Sequence, residues 1–222
     1  MAYFTTDFLN FFAELSLNND RDWFNANKAR FQKSVEKPFS EFVGALIERA
    51  QQVDNRIVLT PKDAVFRIYR DTRFGADKTP YKTHMSAIIS PGGRKGMSES
   101  GMYLQMGCDD FRIYGGAYQP EKQQLQNIRE AIASDLGGFA GLINEQSFVE
   151  KFGELHGEAN KRLPAELLEA AEKQPLIYKK SFYFFHAFPA EIILEDGLAD
   201  TCMTYFLAGK PVGDFFATAM KK

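Results

Sequence analysis

Apolar side chains recur along this chain with two different periods. In the first fifty residues the spacing is near four. Phe8, Leu9, Phe11, Phe12 and Leu15 make one helical face, followed by the turn and cap cluster Asn18-Asn19-Asp20. A second helix is predicted from about Arg21, with Phe24, Phe31 and Val35 inward. Pro38 interrupts it or begins a new segment, and Phe39, Phe42, Val43, Leu46, Ile47 and Ala50 keep helical spacing beyond it. Trp23 belongs either to this core or to a site.

From about Val65 the period falls to two. Strands are expected at Val65–Arg70, Thr83–Ser90, Met102–Met106, Phe111–Tyr114 and Lys179–Phe185. Gly107-Cys108-Asp109-Asp110 reads as a tight connection between two of them, and Pro91-Gly92-Gly93-Arg94-Lys95-Gly96 begins a longer loop. Helical spacing returns at 120–134, with short helices near 138–144, 147–152 and 164–172, and two more near 198–207 and 212–220. The pattern predicts an α+β fold: a mainly antiparallel central sheet with N-terminal and C-terminal helices packed on its apolar face, in a single domain over residues 1–222.

Alternation assigns the strand residues to two faces. Phe66, Ile68, Met85, Ala87, Ile89, Leu104, Met106, Phe111, Ile113, Phe182 and Phe184 form the apolar one. Opposite them fall Arg67, Tyr69, His84, Ser86, Tyr103, Gln105, Arg112 and Tyr114, together with Tyr118 and Tyr183. A solvated antiparallel face accounts for such a set in general. This one is dominated by Arg and Tyr and almost lacks carboxylates, which suits a ligand-lined concavity.

Composition narrows the classes. The 222 residues include 21 Phe, and each buried aromatic ring removes roughly 150–250 Å² from water, enough to build a core with few β-branched residues. No apolar run approaches the roughly 20 residues of a membrane span, and no secretory signal is read at the start. Two cysteines, Cys108 and Cys202, are too few for a disulfide framework or a thiolate metal site. The expected location is cytoplasmic, with no membrane association, no metal and no cofactor; the sequence sets no oligomeric state. The net charge of −2 argues against general attraction to nucleic acid.

Charge is nevertheless uneven. Eight basic residues against three acidic ones between Lys62 and Lys95 leave that segment at +5 in an acidic chain. The cations concentrate in Arg67-Ile68-Tyr69-Arg70-Asp71-Thr72-Arg73-Phe74-Gly75-Ala76-Asp77-Lys78-Thr79-Pro80-Tyr81-Lys82-Thr83-His84. Asp71 can pair with one neighbouring guanidinium and leave another free. Phe74 is expected to anchor the loop in the core, and Thr79-Pro80 to restrict the chain before Tyr81. A self-satisfied ion-pair network that staples the loop is the competing reading. Five cations face two anions from Arg67 to Lys82, which favours a surplus available to an external phosphate or carboxylate.

Other chemistry is sparse. His84, His156 and His186 lack metal-ligand spacing. His84 alone shares the predicted polar face with Arg67 and Tyr69, where it could act as acid or base. The Gly92–Gly96 loop is not a phosphate-binding P-loop; it is a solvated tip or a basic flap over an anion site. Cys108 has no evident base partner.

The basic run resembles a bacterial family catalogued only as a domain of unknown function, also found inside longer fungal proteins and marked by RxxRDxRFxxx[DN]KxxY. Arg67, Arg70, Asp71, Arg73 and Phe74 match that pattern in place, and Asp77, Lys78 and Tyr81 match its second half one residue early. Asn18-Asn19-Asp20-Arg21-Asp22-Trp23-Phe24 is similar to the family's N-terminal signature, so the resemblance covers nearly the whole chain. Many members carry Ser-Lys where this chain has Gly75-Ala76, which weakens any role needing a hydroxyl or amine there. The resemblance implies a shared fold and no assigned activity.

Three functions are compatible with these residues. The first is a site for an anionic small molecule, phosphorylated or carboxylated, for binding or catalysis, built from Arg67, Tyr69, Arg70, Asp71, Arg73, Asp77, Lys78, Tyr81, His84, Arg112 and Tyr114. The second is a single-stranded nucleic-acid module using Arg and Tyr on the sheet, disfavoured by the acidic remainder. The third is a structural or partner-binding domain whose motif is an ion-pair staple.

Overall fold

Short polar caps and apolar stripes set the helices, and a computed structural model describes residues 2–73, 76–96 and 99–221. Helix α1 spans Thr6–Leu17 and buries Phe8, Phe11, Phe12 and Leu15. Asp20 then caps α2, Arg21–Ala26, its carboxylate accepting the N–H groups of Asp22 and Trp23 at 2.9 Å. Helix α3, Lys28–Phe31, continues through a π-helical stretch at Gln32–Glu36 into α4, Lys37–Val53. Pro38 is the second residue of α4, directly after the π-helical stretch, so the helix widens ahead of the proline and is not broken by it. A one-turn helix, α5, covers Pro61–Ala64.

The sheet has four strands: β1, His84–Ile89; β2, Met102–Gly107; β3, Asp110–Ala117; and β4, Phe182–Pro189. They lie in the order β1-β2-β3-β4 and are antiparallel, so the fold class is α+β. Cys108 and Asp109 turn the chain between β2 and β3. Between β3 and β4 run α6, Lys122–Ser134; α7, Leu136–Ile143; α8, Gln146–Phe152; and α9, Leu168–Lys173. Helix α10, Leu198–Met220, closes the described chain.

The chain divides into two compact units, to each of which β3 and β4 contribute residues. One comprises Met1–Lys95, Tyr103–Ile113 and Ala187–Thr204. Its core is aromatic: Phe4, Phe8 and Phe12 meet edge-on in succession, and Phe11 contacts Phe24 and Phe31. Helix α4 packs against β1, and Met85, Ala87, Ile89, Leu104, Met106, Phe111 and Ile113 are all buried. The other unit comprises Gly96–Met102, Tyr114–His186 and Tyr205–Lys222. There Phe184 sits between Phe148 and Phe152, and Phe182 packs on Phe216. Buried Arg129 donates to the carbonyls of Ile177 and Lys179 at 2.9 and 3.0 Å, fastening α6 to that segment.

Three local expectations are corrected. Residues 65–70 form only isolated bridges, Val65 with Ala87 and Tyr69 with Tyr81, because α5 ends at Ala64 and leaves Val65 as its cap. Val65 opposes Ala87, so Phe66 turns away from the core; its ring lies 6.0 Å from Tyr103 and 5.4 Å from the Lys82 ammonium. The strand expected at Lys179–Phe185 begins at Phe182, since Pro175–Tyr178 closes a 3-10 turn just before Lys179. Finally, α10 runs unbroken past Pro211. Burial of Phe206 and Ala208 before the proline and Val212 and Phe216 after it outweighs one lost helical hydrogen bond.

Candidate functional site

The site is closed by a pinch in the basic run. The Arg70 N–H donates to the Pro80 carbonyl at 2.9 Å and the Lys82 N–H to the Ile68 carbonyl at 2.8 Å, bringing Tyr69 opposite Tyr81. Residues 71–73 and 76–79 are thereby looped out. Phe74 and Gly75, and with them the expected core anchor, lie outside the described residues.

Within the loop most charges are spent on one another. Arg73 grips Asp71 through Nε at 2.9 Å and Nη2 at 2.7 Å. Arg70 Nη1 donates to the Asp77 carboxylate and, at 2.6 Å, to Thr79 Oγ1. The Thr79 N–H gives Asp77 a further bond at 2.9 Å. These donors hold Asp77 down at about 2, the Thr79 backbone bond being the largest cause, and the Arg73 guanidinium holds Asp71 well below the usual carboxylate range. Lys78 Nζ donates to the Thr72 carbonyl at 2.8 Å. Arg112, on β3, is bound to Asp110 through Nε at 2.7 Å.

Two cations escape this pairing. Arg67 is exposed and Lys82 half-buried, and neither has an ion pair among the described residues. Burial, and then the charge of Arg67, depress the Lys82 ammonium below its ordinary value.

Lys82 opens onto a cavity of about 440 Å³. Its wall takes Ser16 from α1 and Asn19 from the cap turn. Arg70, Asp77 and Thr79 come from the loop, and Tyr81, Lys82, Thr83 and His84 from the segment entering β1. Asn19 positions that segment by donating from Nδ2 to the Tyr81 carbonyl at 3.0 Å and accepting the Tyr81 N–H on Oδ1 at 3.1 Å. The Tyr81 ring is buried and stacks on Phe24, with centroids 4.0 Å apart.

His84 is pushed down to about 4, chiefly by burial, with Lys82, Arg112 and Arg70 adding to the effect and Asp110 opposing it. The imidazole is therefore neutral near pH 7. Neither of its ring nitrogens has a hydrogen-bond partner among the described residues. A neutral imidazole and an unpaired ammonium thus line the same concavity.

Of the residues singled out by sequence, Arg70, Asp77, Tyr81 and His84 line the cavity. Tyr69 is half-exposed beside Tyr81, while Asp71, Arg73 and Lys78 fasten the loop. Arg112 reaches His84 only through its charge, and Tyr114 stacks on Phe185 in the other unit. Arg94 is tied to the carbonyls of Lys62 and Asp63 and is not part of the cavity wall. Sequence reasoning left out Ser16, Asn19, Thr79, Lys82 and Thr83. Lys82 had a legible signal, since it shares the parity of His84; Asn19 had none, because its partner is 62 residues away.

Cys108 sits in its turn with the thiol pushed up by burial and by Asp109, a poor nucleophile. Among the described residues no three His, Cys, Asp or Glu side chains are grouped to hold a metal ion, and no helix is long and apolar enough to cross a membrane. A family model described as conserved hypothetical protein (DUF2461) matches residues 7–215. No curated protein and no solved structure matches the chain.

Proposed function

The chain belongs to the conserved hypothetical protein family DUF2461, and we propose that it binds a small anionic molecule, phosphorylated or carboxylated, in the cavity between the cap turn, the loop at 71–79 and the start of β1. The observation that carries this reading is Lys82: a half-buried cation without a carboxylate partner that lines a cavity of about 440 Å³. The Phe66 ring, 5.4 Å from the ammonium, compensates that charge only in part, and an arriving anion supplies a full counter-charge. The volume falls in the range of small-molecule sites, roughly 300–1,000 Å³. Arg70 and Asp77 offset one another in the wall, which leaves Lys82 as its unbalanced charge.

The loop pairs are those the structural reading of the motif expects, and the binding reading rests on Lys82, which lies outside them. Arg73, Arg70 and Lys78 are already satisfied, so the motif staples itself and leaves Lys82 uncommitted. A cytoplasmic location fits the two free thiols, Cys108 and Cys202. The reading is tested by thermal unfolding with a panel of anions, including inorganic phosphate, phosphate monoesters and small carboxylates. At least one member is expected to raise the midpoint in wild type and not in Lys82→Met. A panel without effect at millimolar concentration rejects the reading.

A further inference from the structure

The segment entering β1 carries a row of unspent hydrogen-bonding groups. The Lys82 N–H bonds to the Ile68 carbonyl at 2.8 Å and the Phe66 N–H to the Ser86 carbonyl at 2.9 Å; a bend at Thr83 separates the two contacts, and β1 begins at His84. Within β1 the side chains of His84 and Ser86 fall on one face, and Lys82 and His84 both line the cavity. None has a hydrogen-bond or ion-pair partner among the described residues, and Ser86, 2% exposed, has its Oγ buried without one. A buried polar group left unpaired costs about 1–3 kcal/mol, and native structures keep few of them. Ser86 is such a group but lies outside the cavity wall; Lys82 and His84, part-buried in that wall without such partners, point to complementary groups on a ligand.

The types of group specify that ligand. Lys82 offers a compact positive charge with rotatable donors and no planar fork. Arg70, which has the fork, commits Nη1 to Asp77 and Thr79. This combination suits the tetrahedral oxygens of a phosphate better than the flat edge of a carboxylate. The neutral His84 ring has one donor and one acceptor. Its acceptor lone pair calls for an O–H or N–H donor, which a ligand hydroxyl can supply, and the surrounding cations Lys82, Arg112 and Arg70 keep that lone pair available against Asp110.

We propose that the cavity selects a hydroxylated phosphate monoester, of the glycerol phosphate or sugar phosphate type, with its phosphate on Lys82 and a hydroxyl donating to His84. This rests on the anion-binding reading above. Calorimetric titrations of wild type, His84→Phe and His84→Gln with glycerol 3-phosphate, glucose 6-phosphate, propyl phosphate and inorganic phosphate test it. In wild type the better of the two hydroxylated esters is expected to bind at least about tenfold more tightly than propyl phosphate, since a site built to pair a hydroxyl rejects the analogue lacking it. The gap should close to within about twofold in His84→Phe and survive in part in His84→Gln, whose amide keeps an acceptor. Equal wild-type affinities for propyl phosphate and the hydroxylated esters overturn the hydroxyl assignment and leave the anion site standing. Absence of binding by all four phosphates overturns this proposal, whereas the anion-binding reading falls only if carboxylates fail as well.

Discussion

The side-chain amide of Asn19 holds both backbone groups of Tyr81, imitating the pair of hydrogen bonds that a neighbouring strand would make. It joins the cap turn after α1 to the segment that leads into β1, across 62 residues of sequence. Both partners lie in the cavity wall, so the same contact that stabilises the fold fixes the floor from which Lys82 and His84 project.

Asn19→Ala leaves the Tyr81 N–H and carbonyl without these partners in a part-buried position. The expected loss is about 1–3 kcal/mol, measurable by urea unfolding. Asn19→Asp keeps the acceptor but places a carboxylate against the Tyr81 carbonyl, so it should not restore stability. Wild-type stability in both variants removes the assigned role.

Lys82→Met separates stability from binding. The ammonium is half-buried, unpaired and depressed by desolvation, so its replacement by a thioether of similar length relieves a cost. Denaturant unfolding should show unchanged or increased stability, within about 1 kcal/mol. A large loss would mean that Lys82 serves the fold.

Acid should weaken the fold through His84. Its folded value is about 4 against 6.5 for the unfolded group. Below pH 6.5 the unfolded chain takes up a proton that folded His84 refuses, so stability declines as pH falls from 6.5 to 4 and this contribution levels off beneath. The upper bound is about 3 kcal/mol. Unfolding free energies at pH 7, 5 and 4 for wild type and His84→Gln provide the check, because the variant should lose less between pH 6.5 and 4. Parallel curves would place His84 in an environment that does not disfavour its charge.

Two glycines should respond oppositely to alanine. Gly116 has φ of +92°, and a Cβ there would stand 2.3 Å from the Phe182 carbonyl oxygen. Gly116→Ala is expected to cost more than about 1–3 kcal/mol, combining strain with a backbone clash. Gly141, inside α7, has nothing within 4 Å of its Cβ position. Gly141→Ala should stabilise by about 0.5–1 kcal/mol. Thermal unfolding of the two variants reads both signs.

Much of the sheet was legible because alternation is a local signal. Met85, Ala87 and Ile89 on β1, Leu104 and Met106 on β2, and Phe111 and Ile113 on β3 are buried as their parity required. Phe66 broke the rule because register is set by the partner: Val65 pairs with Ala87, which turns Phe66 to the opposite side. The proline of α10 misled for a related reason, since one missing hydrogen bond is local and the buried residues on either side of it are not. Within the basic run, counting charges could not show which ones pair. Arg73 with Asp71 follows from a separation of two residues, whereas Arg70 with Asp77 depends on how the loop closes. Asn19 was the least legible contributor, because Asn18-Asn19-Asp20 reads as a cap cluster, in which Asn18 closes α1 and Asp20 opens α2 while Asn19 reaches elsewhere.

Lys82, proposed as the cation that meets the ligand's anion, is the residue on which binding turns. The most direct test of that role is calorimetric titration of wild type and Lys82→Met with the anion that most raises the wild-type unfolding midpoint, at matched ionic strength. The expected result is saturable one-site binding to wild type, weakened on the order of tenfold to a hundredfold in a Lys82→Met variant that remains folded. Equal affinity in the two proteins would contradict it.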